Sequence, residues 1–303
     1  MATSSSAGSS LKGLISALVV FGVILGFGLL FFAPEAPEPK TGAAAAAEPH
    51  VIEHQPWTFA GVLGHYDNAQ LQRGYQVYKE VCASCHSMKL LSYRNLAEAG
   101  GPAFTEGQVK TLAAEAEVEE LGDDGTPVAR PGKPSDRFKS PFPNDNAARS
   151  ANGGALPPDL SVMAKARNVH EEMPWYREPL KYVRDVTTGY QEGGPDYIYG
   201  VLTGYHDAPE GFVVQEGLNY NVAFPGNQIA MPAPLSDGQI EYTDGAPKTL
   251  DQYSRDVSAF LMWASEPHLE ARKHLGLRVL IYLVITAFLF GLAKRALWRG
   301  VPH

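Results

Sequence analysis

The sequence predicts a mainly α-helical chain in which a few helices are joined by long irregular loops and followed by a C-terminal transmembrane helix. Three observations predict it. The chain holds 30 glycines and 23 prolines in 303 residues, well above the usual combined share of about 12%, so loops are long and helices few. Apolar residues recur at helical spacing at Leu71, Gly74, Tyr75 and Tyr78, and again at Leu250, Tyr253, Val257, Phe260, Leu261 and Ala264. Near the C-terminus residues 279–292 form an uninterrupted apolar run, with Leu275, Leu277 and Trp298 extending it and Lys294, Arg295 and Arg299 flanking it. A strictly apolar stretch of that length also suits a buried helix, but its terminal position and basic flank favour an anchor.

The only two cysteines lie in Cys82-Ala83-Ser84-Cys85-His86. C-x-x-C-H is the attachment signature of a covalent c-type haem. Each thiol adds to one vinyl group, and His86 then sits beneath the ring, where its imidazole reaches iron. A redox dithiol does not need the histidine, and a structural zinc site needs two more ligands. One rigid haem c fills the space that secondary structure otherwise would. The fold class is therefore a c-type cytochrome haem domain with long irregular loops plus the C-terminal helix.

In chain order, residues 14–32 are apolar, with Lys12 before them and a small-residue run at 43–47. This reads as an export signal cleaved near Ala47; the run is also long enough to stay as an N-terminal anchor. Residues 1–47 form that segment, 48–266 the globular domain, and 267–303 the anchor with a short tail. Haem attachment of this kind occurs outside the cytoplasm, which leaves His303 inside.

The first helical stripe, with Asn68 as its cap, leads directly into Cys82. Residues 106–124 carry seven acids and one base, and 130–149 five bases and two acids. Pro127, Pro131, Pro134, Pro141 and Pro143 make the second part a loop. Residues 152–160 read as a rigid turn and a helix start, 180–187 and 197–202 as short helices, and 211–236 as irregular. Thr249 and Gln252 form a capping box, and Pro267 ends or bends the helix that follows.

A second axial ligand comes from a methionine. Met88 is too close to His86, while Met163 and Met262 suit packing. Met173 and Met231 each precede a proline, which disfavours helix and holds a loop extended. Met231 is preferred because it lies in the long irregular segment, with Met173 as its alternative. His54, His65, His170 and His206 supply the bis-histidine alternatives.

Several longer stretches carry a resemblance. They are Arg73-Gly74-Tyr75-Gln76-Val77-Tyr78 before the motif, and Arg149-Ser150-Ala151-Asn152-Gly153-Gly154-Ala155-Leu156-Pro157-Pro158-Asp159-Leu160. Gly194-Pro195-Asp196-Tyr197, Leu202-Thr203-Gly204-Tyr205 and Ile229-Ala230-Met231-Pro232-Ala233-Pro234-Leu235 join them, as does the ending Glu266-Pro267, Arg272-Lys273 and Lys294-Arg295. Together they resemble the cytochrome c1 family, the haem subunit of the bc1 complex, in its bacterial form. The resemblance implies thioether bonds at Cys82 and Cys85 and axial ligation by His86 and Met231. It implies a haem propionate on Arg149, a haem edge lined by Asn152, Ala155, Leu156 and Pro157, and Tyr205 nearby. Residues 106–139 depart from the commonest pattern. His206 stands where some bacterial members have a cysteine, so their extra disulfide is not expected.

The resemblance further implies an electron carrier that accepts from the Rieske iron–sulfur protein beside cytochrome b and delivers to a soluble or anchored cytochrome c. It implies no substrate chemistry on this chain, a dimer of complexes, and a bacterial inner membrane with the haem domain in the periplasm. A stand-alone anchored cytochrome c feeding a terminal oxidase is the alternative, and an open-iron peroxidase or sensor the enzymatic one. The net charge of −8 speaks against nucleic acid and for a cationic partner, with Glu115, Glu117, Glu119, Glu120, Asp123 and Asp124 as its candidate docking surface.

Overall fold

Asp67, extended at φ −87° and ψ 112°, starts the first helix. The computed structural model describes residues 52–122, 125–169, 176, 178–188 and 193–300; the 1–47 segment, Asp123, Asp124, His170, Met173 and His303 lie outside them. Helix α1 spans Asn68–Glu80, and the Asp67 carboxylate accepts from the backbone N–H of Ala69 and Gln70. The cap is thus Asp67, one residue before the predicted Asn68. A short acidic side chain in extended backbone satisfies free N–H groups and complements the helix dipole.

Helix α2 (Glu106–Ala114) follows, then an antiparallel hairpin of β1 (Glu117–Leu121) and β2 (Pro127–Pro131). The prolines at 127 and 131 had argued for a loop throughout. They bound β2 instead, where a missing N–H is tolerated on a two-stranded ribbon. Within the same predicted loop, α3 (Asp145–Ala151) forms, capped by the Asn144 side chain on Ala147 N.

Gly153 and Gly154, at φ +59° and +92°, make the predicted rigid turn. No helix starts directly behind it. Pro158–Ser161 is held to the haem motif instead, and only one helical turn, α4 (Met163–Ala166), forms. Helices α5 (Glu178–Thr188) and α6 (Gly193–Thr203) contain the two predicted short helices and extend beyond them. Helix α6 begins on glycines of necessity, since a Cβ at Gly194 would stand 1.7 Å from the Ala164 carbonyl oxygen. Residues 211–236 are irregular apart from β3 (Asn219–Tyr220), β4 (Gln228–Ile229) and one tight turn.

Helix α7 (Leu250–Ser265) is the centre of the domain. Thr249 Oγ1 accepts from Gln252 N, but the Gln252 side chain turns to Asp256, so only half of the capping box forms. The predicted apolar face is buried except at the half-buried Leu250, and so is nearly every residue from Tyr253 to Ala264. Helix α1 packs along α7 at van der Waals limits: a Cβ at Gly74 would stand 2.1 Å from Asp256 O and 2.6 Å from Phe260 Cβ. Tyr75 and Tyr78 group around Phe260 and Phe138. Beside Gly74, Arg73 pairs with the buried Asp256 at 2.8 Å, and Tyr242 donates to the same carboxylate at 2.9 Å.

Pro267 ends α7, and α8 (Leu269–Leu297) begins anew. At 1.5 Å per residue its 29 residues exceed the roughly 30 Å of a bilayer core. None of its most apolar stretch is buried by protein.

The apolar core divides in two. The larger cluster surrounds α1 and α7 and includes Cys82 at its margin. The smaller is built on Val201, Ala223 and Ile229, with Tyr197, Tyr205, Phe224 and Met231 packed against it.

Candidate functional site

Helix α1 delivers the chain into a 3₁₀ turn, Cys82–Ser84, in which Cys85 N and His86 N both donate to Cys82 O, at 3.2 and 2.8 Å. This coil brings both thiols and the imidazole into one turn of backbone. Burial pushes the Cys82 thiol up to about 12, the reverse of the lowered value that makes a redox dithiol reactive. Among the described residues, no group of three His, Cys, Asp or Glu side chains gathers as a metal cluster.

The His86 ring is oriented by its own hydrogen bond. Nδ1 lies 2.8 Å from Pro158 O. A carbonyl only accepts, so Nδ1 carries the proton and the lone pair is left on Nε2, the tautomer an axial ligand needs. Burial holds the imidazole below its ordinary pKa, against opposing effects of Pro158 O and Asp159, which keeps it neutral.

Asp159 fixes the segment that makes this bond. Its carboxylate accepts from Ser87 Oγ (2.8 Å), Lys89 N (2.9 Å) and Ser161 N (2.9 Å), and Leu160 N donates to Ser87 O at 2.8 Å. Burial opposes its ionisation, but the hydrogen bonds from Ser161, Lys89 and Ser87 outweigh it and hold the carboxyl below its usual range. Asp159 was read only as part of a turn. Its spacing to Ser87 and Lys89 is some 70 residues, and no local pattern signals that. Ala155, Leu156 and Pro157 precede this strap, and Leu156 is an exposed apolar side chain.

Arg149 ends α3. Its Nη1 reaches Gly154 O at 3.3 Å, and among the described residues it has no carboxylate partner. Asn152 Nδ2 donates to Ala148 O at 2.7 Å, closing the helix end. A cleft of about 790 Å³ runs between Cys85, Leu156 and Pro157 on one side and the hairpin with residues 136–145 on the other. It borders the motif and is lined by neither His86 nor Met231.

Met231 lies on the smaller cluster with Tyr205, whose hydroxyl donates to Met231 O at 3.0 Å. Asn219 Nδ2 also reaches that oxygen, at 3.3 Å. The buried Asn221 organises the loop behind them, donating to Val201 O and accepting from Ala223 N and Phe224 N. Tyr205 was expected near the haem edge, with no bond to the Met231 loop foreseen, and neither asparagine carried an expectation. Met88 and Met262 are fully buried in the larger cluster and Met163 packs against it. His54 is engaged by Asp196 at 2.8 Å, and His65 and His206 are exposed.

The donor set fits a haem. Two thiols and a histidine with a directed Nε2 lie in one turn of backbone, and Arg149 has no carboxylate partner among the described residues; Met231 sits apart, on the smaller cluster.

The docking acids are partly spent. Glu115 pairs with Lys79, and Glu120 with Arg130, which also holds Asp136. Glu117 and Glu119 remain exposed on β1.

The Cytochrome C1 family model matches residues 57–301. The chain belongs to the cytochrome c1 family. It is 51% identical over 244 residues to cytochrome b/c1 of Bradyrhizobium diazoefficiens, which covers 80% of this chain and 35% of that longer protein, so the chain spans about a third of it. It is 44% identical to cytochrome c1 of Blastochloris viridis, over 90% of this chain and 94% of the relative. It is 45% identical to cytochrome c1 of Rhodospirillum rubrum, over 95% and 97%. As a cytochrome c1 family member the chain carries one covalently bound haem c and is a haem electron carrier of the bc1 complex. Helix α8 is long and apolar enough to cross a membrane, which fits a membrane-anchored protein.

Proposed function

We propose that this chain accepts one electron from the Rieske iron–sulfur protein and delivers it to a soluble or anchored c-type cytochrome, working beside cytochrome b in a dimer of complexes. The haem supplies reversible one-electron chemistry at iron. Cys82 and Cys85 would hold it by thioether bonds, and His86 and Met231 would supply its nitrogen and sulfur ligands. The observation that carries this reading is the Nδ1 bond of His86 to Pro158 O, which presents Nε2 as a ligand. Paired with the Met231 thioether, it would give iron the same two protein ligands in both oxidation states, which suits one-electron transfer.

Arg149 neutralises a propionate with a charge-assisted bond. Asn152, Ala155, Leu156 and Pro157 line the haem edge, and Tyr205 holds the Met231 loop. The exposed Glu117 and Glu119 steer a basic cytochrome towards that edge. Residues 1–47 export the chain, 48–266 lie in the periplasm of a bacterial inner membrane, and 267–303 anchor it with a cytoplasmic tail.

Met231→Lys in the purified holoprotein tests the ligand set. The sulfur-to-iron band at the red edge of the oxidised spectrum should vanish while haem remains attached. Persistence of the band would exclude Met231. Co-purification with a b-type cytochrome tests the assembly. Reduction of a basic cytochrome c tests docking: neutralising Glu117 and Glu119 should flatten its salt dependence, and an unchanged slope rejects the surface.

A further inference from the structure

We propose that the loop from Trp57 to Tyr66 is a second membrane contact of this chain, with Val62 and Leu63 resting in the headgroup–acyl boundary of the bilayer that α8 crosses. These two apolar side chains are 58% and 71% exposed. The stretch from Trp57 to Gly64 carries no charge.

The loop has a fixed shape. Gly64 N donates to Gly61 O at 3.4 Å and His65 N to Thr58 O at 3.0 Å. Gly61 takes φ +70°, and a Cβ at Gly64 would meet Ala60 O at 2.0 Å. Trp57, Phe59 and Tyr66 are buried, with successive ring centroids 5.3 Å apart. A rigid base therefore presents an apolar tip that does not fold back onto the core.

The base is bonded to the start of α8. Tyr66 N donates to Glu270 Oε1 at 2.7 Å, Tyr66 OH to Glu266 O at 3.2 Å, and Lys273 Nζ to Phe59 O. These bonds set the loop at the level of residues 266–273. Leu275 is already exposed, and the unbroken apolar run starts at Val279, about 9 Å beyond Lys273 at 1.5 Å per residue. Each interfacial layer of a bilayer is about 5–8 Å deep. Two or three residues of loop reach roughly 7–10 Å, so the tip is within range of the layer where interfacial apolar side chains settle.

A lipid surface fits better than a protein. The tip continues an anchor already in the bilayer and offers no charge to pair. Two side chains fall far short of the roughly 800 Å² per partner of a stable protein interface. The inference rests on the anchor alone and is independent of the electron partners.

A nitroxide attached at Leu63→Cys, with Val62→Cys as a second site, tests it. The full-length haem-loaded chain is used, reduced and reconstituted in phosphatidylcholine vesicles. Molecular oxygen should relax the label several-fold more effectively than a water-soluble nickel chelate. The same label at the exposed Leu121→Cys on the hairpin gives the aqueous reference. Nickel access at 63 equal to that at 121 would overturn the proposal. So would nickel access in the vesicles combined with exclusion of both reagents in the intact complex, which would assign the tip to a partner protein.

Discussion

Gly74→Ala tests the crossing on which the haem motif depends. The added methyl carbon would stand 2.1 Å from Asp256 O and 2.6 Å from Phe260 Cβ. The first contact falls about 1.3 Å short of ordinary van der Waals distance, and neither neighbour is a flexible side-chain end. Overpacking a well-filled core costs about 1–3 kcal/mol, and rigid neighbours place this case near 3 kcal/mol. Replacing glycine by alanine inside a helix returns about 1 kcal/mol of propensity. The net loss is about 2 kcal/mol. In a domain of this size that lowers the melting temperature by roughly 4–8 °C. Thermal unfolding of the holoprotein, followed by the visible absorption of the haem, reads it directly. An unchanged or raised melting temperature would mean that propensity wins and that α1 and α7 do not meet at this point.

Arg73→Met should cost about 3–5 kcal/mol, because it leaves the buried Asp256 carboxylate with only Tyr242 and Gln252; a double-mutant cycle with Asp256→Leu in denaturant should recover much of that loss. Asp159→Ala should loosen the strap behind His86 by about 1–3 kcal/mol, measured by denaturant titration. The folded Asp159 pKa lies below its unfolded value, so this stabilisation is present above the ordinary carboxylate range and fades as pH falls through it towards the folded pKa. An acid titration of stability should show the fade in the parent and its absence in Asp159→Asn. Tyr205→Phe removes the hydroxyl bond to Met231 O, worth about 1 kcal/mol. Binding of an external ligand such as imidazole to the oxidised protein should then quicken about fivefold if methionine release limits it; an unchanged rate would remove Tyr205 from the Met231 loop.

Periodicity made α1 and α7 legible, because a helix buried along one stripe repeats its apolar residues every three or four positions. It undercounted α7, since Ser254, Asp256 and Ser258 are buried among the apolar residues. The C-x-x-C-H turn was legible because haem attachment confines cysteine spacing. The Asp159 strap was not, since its partners lie some 70 positions away. Proline counting hid β2 and α3, because proline marks the ends of an element as well as its absence. The acidic segment was read as a docking surface for a cationic partner, whereas Lys79 and Arg130 take up Glu115 and Glu120.

The division of the core into unequal clusters bears on how the molecule breathes. The larger cluster joins α1, α2, α4, α6 and α7, so its amides should exchange with solvent mainly through unfolding of the whole domain. The smaller one, built on Val201, Ala223 and Ile229, is held largely by loop hydrogen bonds from Asn219, Asn221 and Tyr205. It has too little buried apolar surface to resist opening by itself, and forms a separate, weaker cooperative unit. Proton exchange would therefore run fastest along the Met231 side, and the first excursion of the native state would be a swing of that loop with the histidine side still closed.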